Sequence, residues 1–376
     1  MVTREQALYA KARLFKGKAL LIFGPRQVGK TTFVQHLVAD LNKKTLFLNG
    51  DESDVLTLFE NPNVTKLKNI IGDNEILVID EAQRVINIGI VLKIIVDQIK
   101  SVQVIATGSS SFELANKLNE PLTGRKYEMY LFPVAFSEMV THKGLLEEKR
   151  NIEQRLIYGN YPEIISNPVD AKEHIKLIAN SYLYKDLFLL EQIAKPVVLQ
   201  KIVKALALQV GSEVNYNELS KLIQIDNKTV EKYIDLLEKA FVIFKLPAFS
   251  NNVRNEIKKG KKIYFYDNGI INAVTGNFNA INQRNDIGNL WENYIISERI
   301  KHLNIQQEEA DCHFWRTTQQ QEIDYVEKRN DQILACEIKW NRAAKYKIPT
   351  TFLDNYNNVT TTIINPDNYE DFLLAK

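Results

Sequence analysis

A glycine-rich segment near the start of the chain has the residue types and the spacing that bind phosphate. Its pattern is G-x-x-x-x-G-K-[ST], and its members are Gly24, Pro25, Arg26, Gln27, Val28, Gly29, Lys30 and Thr31, followed by Thr32. Glycines let backbone N–H groups close around a phosphate, and the start of a following helix adds its positive dipole end. We expect Lys30 to reach the β- and γ-phosphate oxygens and to take part in catalysis there. Thr31 would offer its hydroxyl to Mg²⁺. The segment predicts ATP held with Mg²⁺.

A second segment ends an apolar run in two acids. The run Ile76–Asp80 continues directly into Glu81. We expect Asp80 to hold Mg²⁺ together with Thr31, and Glu81 to orient or deprotonate the attacking water. Acids are also common at the first turn of a helix, where the helix dipole stabilises their negative charge. Two acids after a strand are therefore, by themselves, weak evidence for a catalytic site. Paired with a phosphate-binding loop upstream, they predict a hydrolytic site.

Two further positions could complete that site. Ser109 follows another apolar run, where its hydroxyl could sense the γ-phosphate or the lytic water; the alternative is a helix N-cap. Arg125 lies on a loop before the next strand, where a cation could act as the catalytic arginine of an ATP site, in its own or a neighbouring subunit. The alternative for Arg125 is a solvated surface residue.

The end of the chain carries a different set of acids. Asp324 lies in an alternating polar and apolar run, and after twelve intervening residues Glu337 and Lys339 share one face of a second run. Glu292 lies on an earlier helical stretch, from which it could support a bound metal ion or a second one. This D…E-x-K arrangement resembles that of restriction-endonuclease-like PD-(D/E)xK domains, in which the acids hold Mg²⁺ beside a scissile phosphate and the lysine polarises water. The alternatives are solvated strand faces or a fold that grips a partner without cutting it.

A basic loop lies between two strand-like runs, Val242–Leu246 and Lys262–Tyr266. Its candidate contacts to DNA phosphates are Arg254, Lys258, Lys259, Lys261 and Lys262. Two helical stretches precede these strands, the second from Thr229 to Ala240 with Asn227 as its cap, and helix–turn–helix followed by a hairpin is a winged-helix order. The alternative for the basic loop is a solubilising surface.

These residues need a scaffold of parallel strands. Short apolar runs alternate with helical stretches from residue 19 to about 132, which predicts an α/β domain with helices on both faces of a parallel sheet. Ligands of such sheets bind at the carboxyl ends of the strands. The predicted strands are Ala19–Gly24, Thr45–Asn49, Ile76–Asp80, Val102–Thr107 and Tyr127–Phe132, with a helix over Ile86–Lys100.

Composition limits the remaining choices. The chain has 376 residues, a formal charge of +2 and two cysteines far apart, which predicts several domains and neither a disulfide framework nor a zinc site. The first residues are polar, and no uncharged apolar run approaches the roughly 20 residues of a membrane span. We expect a cytoplasmic protein without a membrane partner.

The motifs together resemble a large prokaryotic group of AAA-type ATPases with a C-terminal domain of unknown function. The resemblance rests on the phosphate-binding loop, Leu77–Gln83, Thr107–Ser110, and Gly124–Arg125 followed by Phe132–Glu138. Weaker matches lie at Gly159–Glu163 and Tyr184–Asp186. The resemblance implies a helical lid after the nucleotide domain, an arginine finger at Arg125 and a PD-(D/E)xK relationship for the last domain. The predicted boundaries are 1–145 for the ATPase, 146–196 for the lid, 197–275 for a winged helix and 276–376 for the nuclease-like domain.

Three functional hypotheses follow. The first is an ATPase, homo-oligomeric, whose C-terminal region handles DNA. The second is a nucleotide-gated regulatory protein whose nuclease-like domain is inactive. The third is an ATP-dependent DNA nuclease.

Overall fold

The computed structural model describes residues 2–108, 122–181, 196–250 and 260–375, and the chain forms two compact units. The N-terminal unit comprises Thr3–Pro133 with Lys239–Phe241. The C-terminal unit comprises Val134–Glu238 and Val242–Lys376, together with the first two residues.

The N-terminal unit is built on a parallel sheet. Its strand order is β2-β3-β4-β1-β5, and every neighbouring pair is parallel. Strands β1 and β3 are apolar and wholly buried, as expected for a sheet covered on both faces. The strands are β1 (Ala19–Phe23), β2 (Thr45–Asn49), β3 (Ile76–Asp80), β4 (Gln103–Gly108) and β5 (Lys126–Tyr130).

Helices connect these strands. The helices are α1 (Ala7–Arg13), α2 (Lys30–Ala39), α3 (Ser53–Leu58), α4 (Val64–Ile71) and α5 (Ile88–Gln98). Helix α5 begins two residues later than the apolar pattern predicts, because Asn87 before it has a left-handed backbone (φ 59°). The predicted α/β fold with a parallel sheet is confirmed, and the β2 and β3 boundaries match.

The C-terminal unit begins with short helices. They are α6 (Phe136–Lys143), α7 (Leu145–Arg150), α8 (Ile152–Tyr158), α9 (Pro162–Ser166), α10 (Ala171–Asn180) and α11 (Pro196–Leu208). Helices α8, α10 and α11 all pack on α14 (Asn268–Thr275). The segment predicted as a lid therefore packs within the C-terminal unit, and its role over the nucleotide stays a prediction. Tyr184–Asp186 lies outside the described residues.

A three-stranded antiparallel sheet follows, in the order β6-β8-β7. Its elements are β6 (Glu213–Val214), α12 (Tyr216–Ile223), α13 (Asn227–Lys239), β7 (Ile243–Pro247) and β8 (Lys261–Phe265). The cap of α13 is not Asn227, as predicted, but Asp226, whose carboxylate accepts from the Thr229 N–H at 2.9 Å and from its hydroxyl at 2.6 Å. The carboxylate of Asp226 thus satisfies one of the backbone N–H groups that have no partner within the helix.

The last elements form a four-stranded sheet beside a long helix. Its order is β12-β11-β10-β9, with β11 and β12 parallel and the other pairs antiparallel. A bulge between Ile323 and Val326 interrupts β10, which re-aims Asp324. The elements are α15 (Ile287–Gln306), β9 (Asp311–Arg316), β10 (Glu322–Arg329), β11 (Gln332–Ile338), α16 (Thr350–Asn355), β12 (Val359–Ile364) and α17 (Tyr369–Leu374).

Candidate functional site

The phosphate-binding loop joins β1 to α2 at the carboxyl end of the parallel sheet. Position 24 must be glycine, because a Cβ there would lie 2.0 Å from the Leu131 carbonyl oxygen. Gln27 (φ 62°) and Gly29 (φ 87°) have left-handed backbones, and no side chain caps α2. The first N–H groups of a helix have no partner within the helix, so this loop presents them to an anion.

Lys30 is almost fully buried against the loop. Its ammonium donates to the carbonyl oxygens of Gly24 at 3.0 Å and Pro25 at 2.9 Å. A phosphate oxygen is a stronger partner for an ammonium than a neutral carbonyl. The side chain is therefore already placed where phosphates would be enclosed.

Thr31 and Asp80 meet beside the loop. The Thr31 hydroxyl donates to Asp80 Oδ2 at 2.7 Å, and the Thr107 hydroxyl donates to Asp80 Oδ1. Mg²⁺ prefers oxygen ligands and is commonly bound through one or two carboxylates, substrate phosphates and waters. The hydroxyl of Thr31 and the carboxylate of Asp80 fit such an ion.

Glu81 adopts a strained backbone at the end of β3. Its φ of 47° and ψ of 42° are left-handed, which is uncommon for a residue with a side chain and clusters at functional sites. Its N–H donates to the Thr107 hydroxyl at 3.1 Å, and its carboxylate accepts from the Gln83 amide. The carboxylate of Glu81 is thus oriented by a neighbour on the same turn.

Thr107 is a residue of this candidate site that sequence reasoning did not single out. It lies near the end of β4 and contacts both Asp80 and Glu81, whereas the predicted sensor, Ser109, lies outside the described residues. The sequence did contain a signal for it, namely a threonine close to the carboxyl end of β4, the strand that neighbours β3. A hydroxyl there can bond both acids at once.

Arg125 is not brought to the phosphate-binding loop. Its carbonyl accepts from the N–H of Ala19, the first residue of β1, so it lies at the amino ends of β1 and β5. A five-residue strand spans about 16 Å, and the loop follows the opposite end of β1. Its guanidinium pairs with Asp97 at 2.7 Å on a partly exposed surface. Arg125 therefore does not reach the ATP site of its own N-terminal unit in this structure.

A second polar site lies in the C-terminal unit and brings together the four residues predicted for a nuclease site. Lys339 Nζ lies 2.5 Å from Glu337 Oε1 and 3.6 Å from Asp324 Oδ2. The N–H of Ile338 donates to Asp324 Oδ2 at 2.9 Å. Glu292 on α15 lies close enough for the charge of Asp324 to affect its pKa.

Two residues of β8 and one of β10 also enter this site. Lys262 Nζ lies 3.3 Å from Glu292 Oε1 and 2.5 Å from Glu322 Oε1, and the Tyr264 hydroxyl donates to Glu292 Oε1 at 2.6 Å. We call these acids and lysines the carboxylate cluster; its members are Lys262, Glu292, Glu322, Asp324, Glu337 and Lys339.

The burial of Lys262 contradicts one of the predicted DNA contacts. Lys262 is 1% exposed and paired with two carboxylates, so it does not contact DNA phosphates as predicted. Lys261 is partly exposed at the start of β8 and stays a candidate. The other predicted contacts, Arg254, Lys258 and Lys259, lie outside the described residues.

Charges in the cluster shift one another's pKa values. Burial, and then the negative charge of Asp324, raise the pKa of Glu292 and of Glu337 to about 7. Burial alone would lower the pKa of Lys262, but the surrounding carboxylates outweigh it and raise that pKa. Four carboxylates and two ammonium groups leave a formal charge of −2 within the cluster.

The cluster has the composition of a divalent-cation site. Glu337 Oε2 is buried without a hydrogen-bond partner in the described part of the chain, and Mg²⁺ accepts such oxygens together with waters. Among the described residues, however, no three His, Cys, Asp or Glu side chains converge as a ligand set. Asp324 and Glu337 would hold a cation there, with the Ile338 carbonyl as a further oxygen.

The motif around Asn160 forms a buried structural hub. Asp267 accepts from the Asn160 N–H at 2.7 Å, and the Asn160 amide donates to Glu298 at 3.0 Å. A Cβ at Gly159 would lie 1.9 Å from the Asp267 carboxylate, so only glycine fits there. The Phe136 N–H donates to the same Glu298 at 2.7 Å. These segments hold the C-terminal unit together.

Comparison with protein families divides the chain in three. An AAA domain matches residues 16–140, and two domains of unknown function, DUF8612 and DUF4143, match residues 149–280 and 287–370.

Relatives share a quarter or less of the aligned residues. An uncharacterized protein of Haemophilus influenzae is 24% identical over 283 residues, which is 72% of this chain and 65% of that protein. An uncharacterized protein of Mycobacterium tuberculosis is 25% identical over 334 residues, which is 86% of this chain and 71% of that protein. The chain thus spans about two thirds of these relatives.

One solved structure supports the fold. A Walker-type ATPase of Pyrococcus abyssi aligns with a TM-score of 0.52 at 15% identity, covering 73% of this chain and 96% of that one. Among the described residues, no helix combines the length and apolar character needed to cross a lipid bilayer. The chain thus carries an AAA domain followed by domains of unknown function, and its fold is similar to that of a Walker-type ATPase.

Proposed function

We propose that this chain binds and hydrolyses ATP with Mg²⁺. The observation that carries the proposal is the bond between the Thr31 hydroxyl and Asp80 beside a loop already contacted by Lys30. Lys30 would neutralise charge on the phosphates, and Thr31 and Asp80 would hold the ion, which supplies a bridge between phosphate oxygens and neutralises their charge when bound. Glu81, oriented by Gln83, would take the proton of the attacking water.

Arg125 has a role in this proposal only between subunits. Because it lies at the amino ends of β1 and β5, it would complete the ATP site of a neighbouring copy. A homo-oligomer is thus part of the proposal.

The variant Glu81→Gln tests hydrolysis. Removing a general base lowers kcat by about 10²- to 10⁴-fold, while ATP binding persists because the loop is intact. Glu75→Gln is the matched control: Glu75 precedes β3 at its amino end, pairs with Lys43 and is far from the loop. Unchanged turnover in Glu81→Gln, or equal loss in both variants, would contradict the assignment.

A second candidate function concerns the C-terminal unit. A helix, three strands, a helix and a parallel strand follow one another from α15 to β12, which is the order of restriction-endonuclease-like domains, and Glu337 Oε2 lacks a partner among the described residues. We propose metal-dependent cleavage of DNA at this cluster. The elements from α11 to β8 have the order of a winged helix, which supports DNA as the partner.

Incubation with Mn²⁺ and linear, circular or single-stranded DNA tests cleavage. Asp324→Asn should abolish any cutting, whereas Asp331→Asn, at the exposed turn between β10 and β11, should not. Absence of cleavage in the unsubstituted chain would favour a regulatory module that grips its partner. A DNA-dependent rise in ATP turnover, weakened in Lys261→Glu, would support coupling between the two functions.

A further inference from the structure

Glu292 is held differently from the other acids of the carboxylate cluster. Lys262 Nζ and the Tyr264 hydroxyl both approach the same oxygen, Glu292 Oε1, at 3.3 and 2.6 Å. The two side chains share one face of β8 because they are two residues apart. Both are buried, so water does not compete for these bonds.

Further contacts fix Lys262 and Glu292 in place. The Lys262 ammonium also lies 2.5 Å from Glu322 Oε1, so it links α15 to β10, and it lies 5.6 Å from the centre of the Phe314 ring. Gly211 lies near Glu292 on another side, and a Cβ there would come within 3.2 Å of Glu292 Oε1. Movement of this carboxylate would break several buried contacts at once.

In the described part of the chain, Asp324 and Glu337 form no hydrogen bond or ion pair with β8, although the charge of Asp324 acts on Lys262. They share Lys339, which is only half-buried, and Glu337 Oε2 has no partner in the described part of the chain. No three His, Cys, Asp or Glu side chains of that part converge as metal ligands, so Glu292 does not form a ligand set with this pair. The cluster thus divides into an open pair and a carboxylate already bound by the protein.

We propose that Lys262 and Tyr264 keep Glu292 out of the metal shell, so that the cluster binds one divalent cation, at Asp324 and Glu337. This inference rests on the metal site of the second proposed function. It reverses the expectation that Glu292 supports a metal, and it makes two residues of the three-stranded sheet positioning residues of that site. Sites with a second ion need a further free carboxylate, which Lys262 occupies.

Counting Mn²⁺ ions tests the proposal without a cleavage assay. Calorimetry and the electron paramagnetic resonance signal of free Mn²⁺ give the number bound to the full chain without nucleotide, with Asp80→Asn as the common background to remove binding at the ATPase site. We expect one Mn²⁺ per chain, weakened by about 100-fold or more in Asp324→Asn. Glu292→Gln should keep one Mn²⁺ with its Kd changed less than about threefold, because in the described contacts Glu292 forms no bond with Asp324 or Glu337 that would orient them as ligands.

Releasing Glu292 should create a second site. Lys262→Met combined with Tyr264→Phe should bind two Mn²⁺, whereas Lys262→Arg should keep one because the cation is retained. Circular dichroism melts identify variants that do not fold, and Glu292→Gln stands as an independent test in that event. Loss of binding in Glu292→Gln, two ions in the unsubstituted chain, or one ion in the folded double variant would overturn the inference. Absence of any Asp324-dependent ion would instead remove the proposed metal site and the inference with it.

Discussion

The two polar sites of this chain stabilise buried charge in different ways. In the N-terminal unit, Lys30 bonds to backbone carbonyls, and Asp80 accepts from two threonine hydroxyls. In the C-terminal unit, Lys262 bonds to carboxylates. Neutral partners are exchanged for phosphate or Mg²⁺ at little loss, whereas a charged partner resists exchange because it would be left unpaired. The first site is arranged to take up a charged ligand, and part of the second is already neutralised by the protein.

The largest expected effect tests how the first site is completed. Arg125→Ala should lower kcat for ATP by about 10³-fold or more, because it removes the cation proposed to stabilise the charge on the phosphates in the transition state. Mixing Arg125→Ala with Lys30→Ala should restore part of the activity, since one copy supplies the intact loop and the other the arginine. Asp97→Asn, which removes only the partner of Arg125, is the control and should leave kcat near its original value. Mixing that restores nothing would contradict action between subunits.

The next effect tests the ion pairs of the second region. Arg299 and Glu327 form a buried pair with two hydrogen bonds, at 2.8 and 2.9 Å. Arg299→Met should lower the free energy of unfolding by about 3–5 kcal/mol, because Glu327 is left buried without its main partner. The same substitution at Arg84, whose pair with Asp51 is exposed, should change it by less than about 1 kcal/mol. Urea titration measures both, and equal effects would remove the contrast between the regions.

A change of pH tests Asp267, a buried acid of the C-terminal unit. In the described contacts, no cationic group lies within hydrogen-bond distance of its carboxylate. Burial raises the pKa of Asp267 from 3.8 to about 6. The folded chain therefore keeps a proton that the unfolded chain has released, so the free energy of unfolding falls as pH rises from about 4 through 6, by on the order of 3 kcal/mol. Asp267→Asn should remove this part of the pH dependence, measured by urea titration at pH 4.5 and 7. An unchanged slope would contradict the assignment.

The smallest effect concerns the neutral partners of the first site. Thr107→Val removes the hydroxyl that bonds both Asp80 and Glu81 and should lower kcat by about 10- to 100-fold, with the Kd for ATP little changed. Thr45→Val, at the start of β2, is a control whose hydroxyl bonds only a nearby carbonyl. Steady-state turnover and nucleotide-binding titrations separate the two quantities. Equal loss in both variants would point to damage to the sheet rather than to the site.

Sequence reasoning is most direct where the chemistry is contiguous. The phosphate-binding loop occupies adjacent positions, and β3 with its two acids is one apolar run, so spacing alone was enough to predict roles for Lys30, Asp80 and Glu81. The place of Arg125 in the fold could also have been predicted from the sequence. A residue just before a parallel strand lies at the amino edge of the sheet, opposite the loop.

It failed where packing between distant segments decides the outcome. Lys262 continues a run of basic residues and was grouped with them, but the packing of β8 on α15 buries it beside Glu292. The bulge in β10 breaks the alternation predicted around Asp324, so Tyr325 and Val326 are both buried. Neither the packing of β8 nor an extra residue in a strand leaves a regular pattern in the sequence.

The hydrogen bond from the Phe136 N–H to Glu298 can be followed by amide hydrogen exchange. Glu298 lies six residues after Glu292 on α15, a rise of about 9 Å, and Phe136 lies six residues beyond the end of β5. Amide hydrogen exchange at Phe136 therefore reports whether the segment leaving the ATPase sheet stays anchored to the helix that carries Glu292. Faster exchange on adding ATP would show, at a single amide, that nucleotide binding loosens this anchor.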